Sequence, residues 1–147
     1  MPLYLVDSSI WISASRRRGS YLQLLLEKRL ADGEVAACAP VALEVLIGHR
    51  DKASYDEAWA EVWEGLVWLP LHDGAARRAL EVQRELAGTT AGAHRRRPID
   101  YIVAACAEDA GEDVVLWHWD ADLTAICEHT GQLHEPEHER AREHGLD

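Results

Sequence analysis

Leu3-Tyr4-Leu5-Val6-Asp7-Ser8-Ser9 sets the frame of this chain: four apolar residues run directly into an acid and two hydroxyls. A short apolar run bounded by capping residues reads as a buried strand that hands the chain to a helix N-terminus. The arrangement returns near the other end. There, Asp113–Trp117 reads as an apolar strand, with Asp120 and Asp122 just beyond it. Between the two, helices and strands alternate. Tyr21–Ala31 reads as a helix, with Tyr21, Leu24, Leu25 and Leu30 on one side. Val35–Ala39 reads as a strand stopped by Pro40, and Val41–Gly48 as a helix ending on glycine. Tyr55–Leu66 carries Tyr55, Trp59, Val62, Trp63 and Leu66 at helical spacing. A short strand over Val67–Leu71 and a helix over Asp73–Leu86, capped by Asp73, follow. Gly88–Arg97 is a polar loop, and Pro98 opens a helix to Ala110. Ala121–His129 is a last helix, closed by Gly131. Beyond Leu133 the chain is acidic and His-rich, which reads as a loose tail or short helix. The alternation predicts a parallel sheet with helices on both faces, and a functional crevice at the carboxyl ends of its strands.

A length of 147 residues suits one domain. With 48% apolar and 28% charged residues, the composition excludes a disordered chain, a collagen-like repeat and a small disulfide scaffold. No apolar run approaches the roughly 20 residues of a membrane span. The best, Val35–Gly48, is interrupted by Pro40 and Glu44. The opening MPLYLVDSS has no basic segment and reaches Asp7 too early for a signal peptide, so a soluble, cytoplasmic protein is expected. Cys38, Cys106 and Cys127 are far apart in apolar stretches, and read as small core residues rather than disulfides or thiolate zinc ligands.

The net charge of −11 is unevenly spread: residues 1–107 hold 14 acids and 13 Lys/Arg, whereas residues 108–147 hold 12 acids and 2 Arg. An acidic total argues against non-specific nucleic-acid binding. Two basic triplets are local exceptions, Arg16-Arg17-Arg18 and Arg95-Arg96-Arg97. Both flank the expected crevice, where arginines hold phosphate oxygens, although loop arginines are also ordinary solvated charge.

Four acids stand on four elements, each beside apolar sequence. Asp7 and Asp120 follow strands, and each alone reads as a helix cap, as does Asp122. Glu44 is the single charge of the segment Pro40–Gly48, where it is either buried or on a narrow polar stripe. Asp100 lies in the first turn of its helix, favourable for an acid by about 0.3–1 kcal/mol. Together they form a set of carboxylates with few basic neighbours. Such a cluster repels itself unless a cation intervenes, and oxygen ligands suit Mg²⁺ or Mn²⁺. His118 adjoins Asp120 and could assist. His134, His138 and His144 read as surface residues of the tail, and the six tryptophans, Trp59, Trp63 and Trp68 among them, as core or dimer-interface residues. The P-loop, GxSxG, GxGxxG and HExxH patterns do not occur. A haloacid-dehalogenase-type phosphatase would need an acid where Ser9 stands.

Four segments in order resemble the PIN-domain ribonucleases, and among them the VapC toxins of type II toxin–antitoxin systems. They are Leu5-Val-Asp7-Ser-Ser-Ile-Trp11, Val41-Ala-Leu-Glu44-Val-Leu-Ile-Gly48, Arg97-Pro-Ile-Asp100-Tyr-Ile-Val-Ala-Ala105, and Leu116-Trp-His-Trp-Asp120-Ala-Asp122-Leu123. Leu123 stands where the family often has Phe or Tyr. The resemblance covers residues 3–133. It implies a PIN domain over 1–133 with an acidic tail over 134–147, folded as an α/β/α sandwich around a mainly parallel sheet. It implies an endoribonuclease dependent on Mg²⁺ or Mn²⁺, with Asp7, Glu44, Asp100 and Asp120 holding the ion and Asp122 as a further ligand or cap. The implied chemistry is hydrolysis of RNA by a water activated at that ion, with Ser9 placing the water. Arg16, Arg17, Arg18, Arg95, Arg96 and Arg97 would bind RNA. The implied partners are a VapB-like antitoxin, for which the acidic surface is suited if the antitoxin is basic, and a second copy in a homodimer. Two other readings stay open: a housekeeping RNA-processing nuclease of the same fold, and a non-catalytic module whose acids dock a basic partner.

Overall fold

The structure, a computed structural model, describes residues 2–89 and 96–146. The run that opens the chain is strand β1 (Leu3–Val6), and Asp7 caps α1 (Ser8–Arg16) by accepting the Ser9 N–H at 3.0 Å. Helix α2 (Tyr21–Ala31) is capped by Ser20, whose Oγ accepts from the Gln23 N–H at 3.3 Å. Then come β2 (Val35–Ala37), α3 (Ala39–Leu46), α4 (Lys52–Glu61), β3 (Val67–Trp68), α5 (Asp73–Ala87), α6 (Pro98–Ala110), β4 (Val114–His118), α7 (Ala121–Thr130), β5 (His134–Pro136) and α8 (His138–Glu143). Gly131 closes α7 with a φ of 79°, left-handed backbone that only glycine adopts at little cost.

The five strands form one sheet in the order β3-β2-β1-β4-β5, all parallel. The chain winds from β1 outward through β2 to β3, then returns to the other side of β1 for β4 and β5. The strand order therefore reverses at β1 and β4, where Val6 pairs in register with Trp117. Asp7 and the Asp120 segment leave the sheet side by side at this switch point, the usual place for a ligand crevice in such sheets.

Helices cover both faces, as parallel strands require. One apolar layer gathers Leu5, Val41, Leu46, Val82, Val103, Leu116, Leu123 and Ile126. The other gathers Val6, Ile10, Leu22, Leu26, Val35 and Trp117 beneath α1 and α2. Each such side chain contributes about 1.5–3 kcal/mol on burial. Cys38, Cys106 and Cys127 are buried thiols. Trp11, Trp63, Trp68 and Trp59 form a chain of ring contacts at centroid distances of 4.8, 6.3 and 5.2 Å. No helix among the described residues is long and apolar enough to cross a membrane.

Asp73 stands in the first turn of α5 and not at its cap, which is His72, and three further expectations change. Helix α2 buries Leu22, Leu26 and Arg29, while Leu24 is largely exposed. Leucine occupies so many positions of Tyr-Leu-Gln-Leu-Leu-Leu that no single stripe stands out, and packing chooses the face. Secondly, α3 begins at Ala39 and α4 at Lys52, each earlier than its apolar pattern, because Pro40 fits a first turn and Asp51 caps α4. Thirdly, residues beyond Leu133 are not loose. His134–Pro136 pair with Leu116–His118, and Glu137, fully buried, accepts hydrogen bonds from Trp117 Nε1 at 2.6 Å and Tyr21 Oη at 2.7 Å. Arg140 also pairs with Glu137. An edge strand reads poorly because main-chain pairing, not an apolar pattern, defines it. Pro136, which lacks an N–H, is tolerated there.

Candidate metal and nuclease site

The switch point brings four expected acids to one place. Asp7 sits at the end of β1, fully buried. Its Oδ2 accepts from the Ser9 N–H at 3.0 Å and from Ser9 Oγ at 2.5 Å. Ser9 Oγ in turn accepts from the Trp119 N–H at 2.9 Å, so one hydroxyl ties the ends of β1 and β4 together. Ser9 is thus held against Asp7. Glu44, on α3, is 22% exposed and accepts from Ser8 Oγ at 3.2 Å, which settles its placement between core and solvent. Asp100 is fully buried in the first turn of α6. Asp120 caps α7, its Oδ1 accepting the Asp122 N–H at 2.7 Å. Carboxylate oxygens of Asp100, Asp120 and Asp122 lie within 4.8 Å of one another, so both aspartates of the last segment belong to the cluster.

Arg97 is seated among these acids. Its guanidinium lies 3.0 Å from Glu44, 3.1 Å from Asp100 and 3.8 Å from Asp120. Arg96 is turned inward as well, 2.7 Å from Asp122. These two arginines, expected at the RNA, neutralise the acids from within. The adjacent sequence Arg96-Arg97-Pro-Ile-Asp100 held that signal, since an arginine three residues before a helical acid can reach it. Arg16, the last residue of α1, and Arg18, just beyond it, are exposed, and Arg17 lies over the Trp119 ring at 5.1 Å, next to Asp120. Arg95 lies outside the described residues.

The electrostatics are those of a crowded anionic site. Burial raises the Asp7 carboxyl above its ordinary range, the Ser9 hydrogen bonds oppose this, and Glu44 and Asp120 add to it. Asp100 is pushed up to about 7, first by burial and then by Asp120, with Arg97 opposing and Asp7 reinforcing. Asp7 Oδ1 and Asp100 Oδ2 are buried with no hydrogen-bond partner among the described residues. Such orphaned oxygens are costly unless something binds them. An all-oxygen set of carboxylates, two of them with vacant lone pairs, fits a hard divalent cation. By contrast, an apolar groove of about 350 Å³ between α5 and α6, lined by Leu71, Ala76, Leu80, Pro98, Tyr101 and Ile102, lacks a comparable set of acids.

Arg97 and a divalent ion compete for the same oxygens. Each half-exposed pair of this kind contributes roughly 0.2–1 kcal/mol. Arg97→Ala is therefore expected to tighten Mn²⁺ binding about three- to tenfold in calorimetry. Unchanged or weaker binding would show that Arg97 leaves the ion's oxygens free.

The PIN domain family model matches residues 4–128. The chain is 33% identical over 132 residues to Ribonuclease VapC18 of Mycobacterium tuberculosis, covering 88% of this chain and 91% of that protein. It is 30% identical over 128 residues to Ribonuclease VapC11 of the same species, covering 85% and 92%. Among solved structures, DNA-bound VapBC from Salmonella typhimurium superposes with a TM-score of 0.68 at 16% identity, over 92% of this chain and 98% of that one. VapBC-1 from nontypeable Haemophilus influenzae gives 0.67 at 13% identity, over 91% and 97%. At these identities the structural likeness shows the shared fold.

Proposed function

We propose that this chain, which belongs to the PIN-domain family, is a divalent-metal-dependent endoribonuclease and the toxin of a toxin–antitoxin pair. The observation that carries the nuclease reading is the pair of buried, unpartnered oxygens on Asp7 and Asp100, at the switch point of the sheet. Asp7, Asp100 and Asp120 would hold the ion, with Glu44 and Asp122 as further ligands, and Mg²⁺ or Mn²⁺ suits them equally as oxygen donors. When bound, such an ion supplies a hydroxide nucleophile at neutral pH and offsets charge on the phosphate.

The chain's own residues do the rest. Ser9 orients Asp7, and Ser8 orients Glu44. Arg97, half-exposed at the rim, binds the acids when no ion is present and is within reach of a phosphate once they release it. Arg17, stacked on Trp119 beside Asp120, extends the basic rim along which RNA would lie. The toxin role follows from relatives named VapC ribonucleases and from the VapBC complexes that share the fold. A VapB-like antitoxin and a second copy of this chain are the proposed protein partners.

The test is cleavage of total RNA by the purified protein with Mg²⁺, with Mn²⁺ and with EDTA, beside Asp7→Asn. Cutting that needs the ion and disappears in Asp7→Asn is expected, and comparison of the two ions assigns the metal. Because a toxin can accept a single RNA, growth arrest on expression is measured in parallel. Wild type that neither cuts, nor arrests growth, nor binds a divalent ion would refute the reading.

A further inference from the structure

Next to the acids, in contact with Asp120 through His118, lies a second cluster of a different chemistry. His118, the last residue of β4, is fully buried, and Cys127 of α7 is almost so. His134, the first residue of β5, is half-buried. One ligand atom of each lies within 4.8 Å of the other two. The two imidazoles lie in nearly parallel planes, 2° apart, with His118 Nε2 3.0 Å from His134 Nδ1. His138, at the start of α8, is close enough to His118 to act on it electrostatically. His118, Cys127, His134 and His138 are separated by 8, 6 and 3 residues in turn, a spacing that carries no zinc signature. Strand β5 is what brings them together.

We propose that His118, Cys127 and His134 form a second metal site, for Zn²⁺, whose occupation pulls Asp120 out of place. Two imidazole nitrogens and one thiolate are the donor set of a borderline-soft ion, unlike the oxygen set of the acids. A tetrahedral zinc with Zn–N of about 2.0–2.1 Å and Zn–S of about 2.3 Å holds its ligand atoms roughly 3.4–3.6 Å apart. The three atoms, no two of them more than 4.8 Å apart, therefore need to close by at most about 1.4 Å to meet such an ion. Partial exposure of His134 provides the entry path and leaves the fourth position to water.

The proton balance supplies the link to Asp120. Without the ion, His118 Nδ1 accepts the Asp120 N–H at 3.2 Å, so the imidazole proton is on Nε2 and is donated to His134 Nδ1. Binding of Zn²⁺ at Nε2 requires that proton to move to Nδ1, while the Cys127 thiol releases its proton to solvent. A protonated Nδ1 cannot accept from the Asp120 N–H, and the two donors repel. Asp120 then loses the contact that holds its backbone beside Arg97, Asp100 and Asp122. Zinc binding is thus linked to loss of the geometry of the acidic site. This second half rests on the nuclease reading, whereas the binding half stands without it.

The experiment uses the full chain stripped of metal and titrated with Zn²⁺ by calorimetry and with Co²⁺ by absorption. The expected result is one equivalent of Zn²⁺ and a tetrahedral Co²⁺ spectrum with a thiolate charge-transfer band, both retained in Asp100→Asn. Cys127→Ser is expected to lose the charge-transfer band, and both it and His134→Gln to weaken zinc binding at least about tenfold. His134→Gln, on a half-buried edge strand, keeps the test alive if the core variant does not fold. In the cleavage assay with Mg²⁺, stoichiometric Zn²⁺ is expected to inhibit the wild type and to lose that effect in His134→Gln. Absence of zinc binding, or binding lost in Asp100→Asn but kept in both other variants, overturns the site. Binding without inhibition overturns the coupling. If the wild type does not cut RNA at all, the nuclease reading fails and the cobalt spectrum still decides the site.

Discussion

Asp100→Asn is expected to lower RNA cleavage by about 10³-fold, equivalent to about 4 kcal/mol of barrier, while leaving the metal-free protein more stable than wild type at neutral pH. The two effects share one cause. Asp100 is fully buried with one oxygen unpartnered, and its carboxyl is pushed up to about 7. A folded-state pKa above the unfolded value of about 3.9 means that the folded protein holds this proton more tightly. Its contribution to stability is therefore present in acid and is lost as pH rises from about 4 to about 7. The total is at most about 4 kcal/mol, from about 1.36 kcal/mol per pH unit. Asp7, also raised by burial, acts in the same direction. Asparagine carries no charge to desolvate, so the difference in stability between variant and wild type should grow across this pH range. Mg²⁺ should reduce that difference, because an ion favours the ionised carboxylate. Unfolding curves from pH 4 to 8, with and without Mg²⁺, provide the measurement. A difference that does not vary with pH, or an Asn variant that cuts within about tenfold of wild type, would remove Asp100 from the site.

Glu137→Ala is expected to cost about 3–5 kcal/mol, the usual loss when one partner of a buried ionic network is removed. For a chain of this size that is roughly a 10 °C fall in melting temperature. Glu137 accepts from Trp117 Nε1 and Tyr21 Oη and pairs with Arg140. Truncation leaves a buried indole N–H and a phenol without acceptors. Arg140 keeps Glu135 at 3.0 Å, so its charge is not stranded. Arg29 also joins this region to the core, pairing with Glu135 at 2.6 Å beneath the rings of Tyr4 and Trp117. Glu137→Gln, which retains one acceptor oxygen, should lose less. A melting temperature within about 2 °C of wild type for Glu137→Ala would mean that α8 is dispensable.

Both predictions bear on what could be read in advance. Asp7, Asp120 and Asp100 were legible as candidates because each stands beside an apolar run at a point where local geometry is simple: a strand end for Asp7 and Asp120, and a helix first turn for Asp100. Parallel strands deliver such residues to one edge without any knowledge of side-chain packing. The alternation of elements likewise announced a parallel sheet, and β1, β2, β3 and β4 follow their apolar runs to within two or three residues. What local pattern could not reveal depends on contacts between distant residues. Strand β5 exists because β4 offers an unpaired edge, not because His134-Glu-Pro136 favours a strand. The buried face of α2 was chosen by the sheet beneath it.

The sequence by itself determined where carboxylates stand along the chain and which strand ends they occupy, since backbone periodicity and capping are local. The tertiary structure alone decided what answers their charge. Arg96 and Arg97 turn inward onto Asp122, Glu44 and Asp100 because desolvated acids draw the nearest cations. His118 and His134 meet through strand pairing across 16 residues, a distance over which no local rule acts.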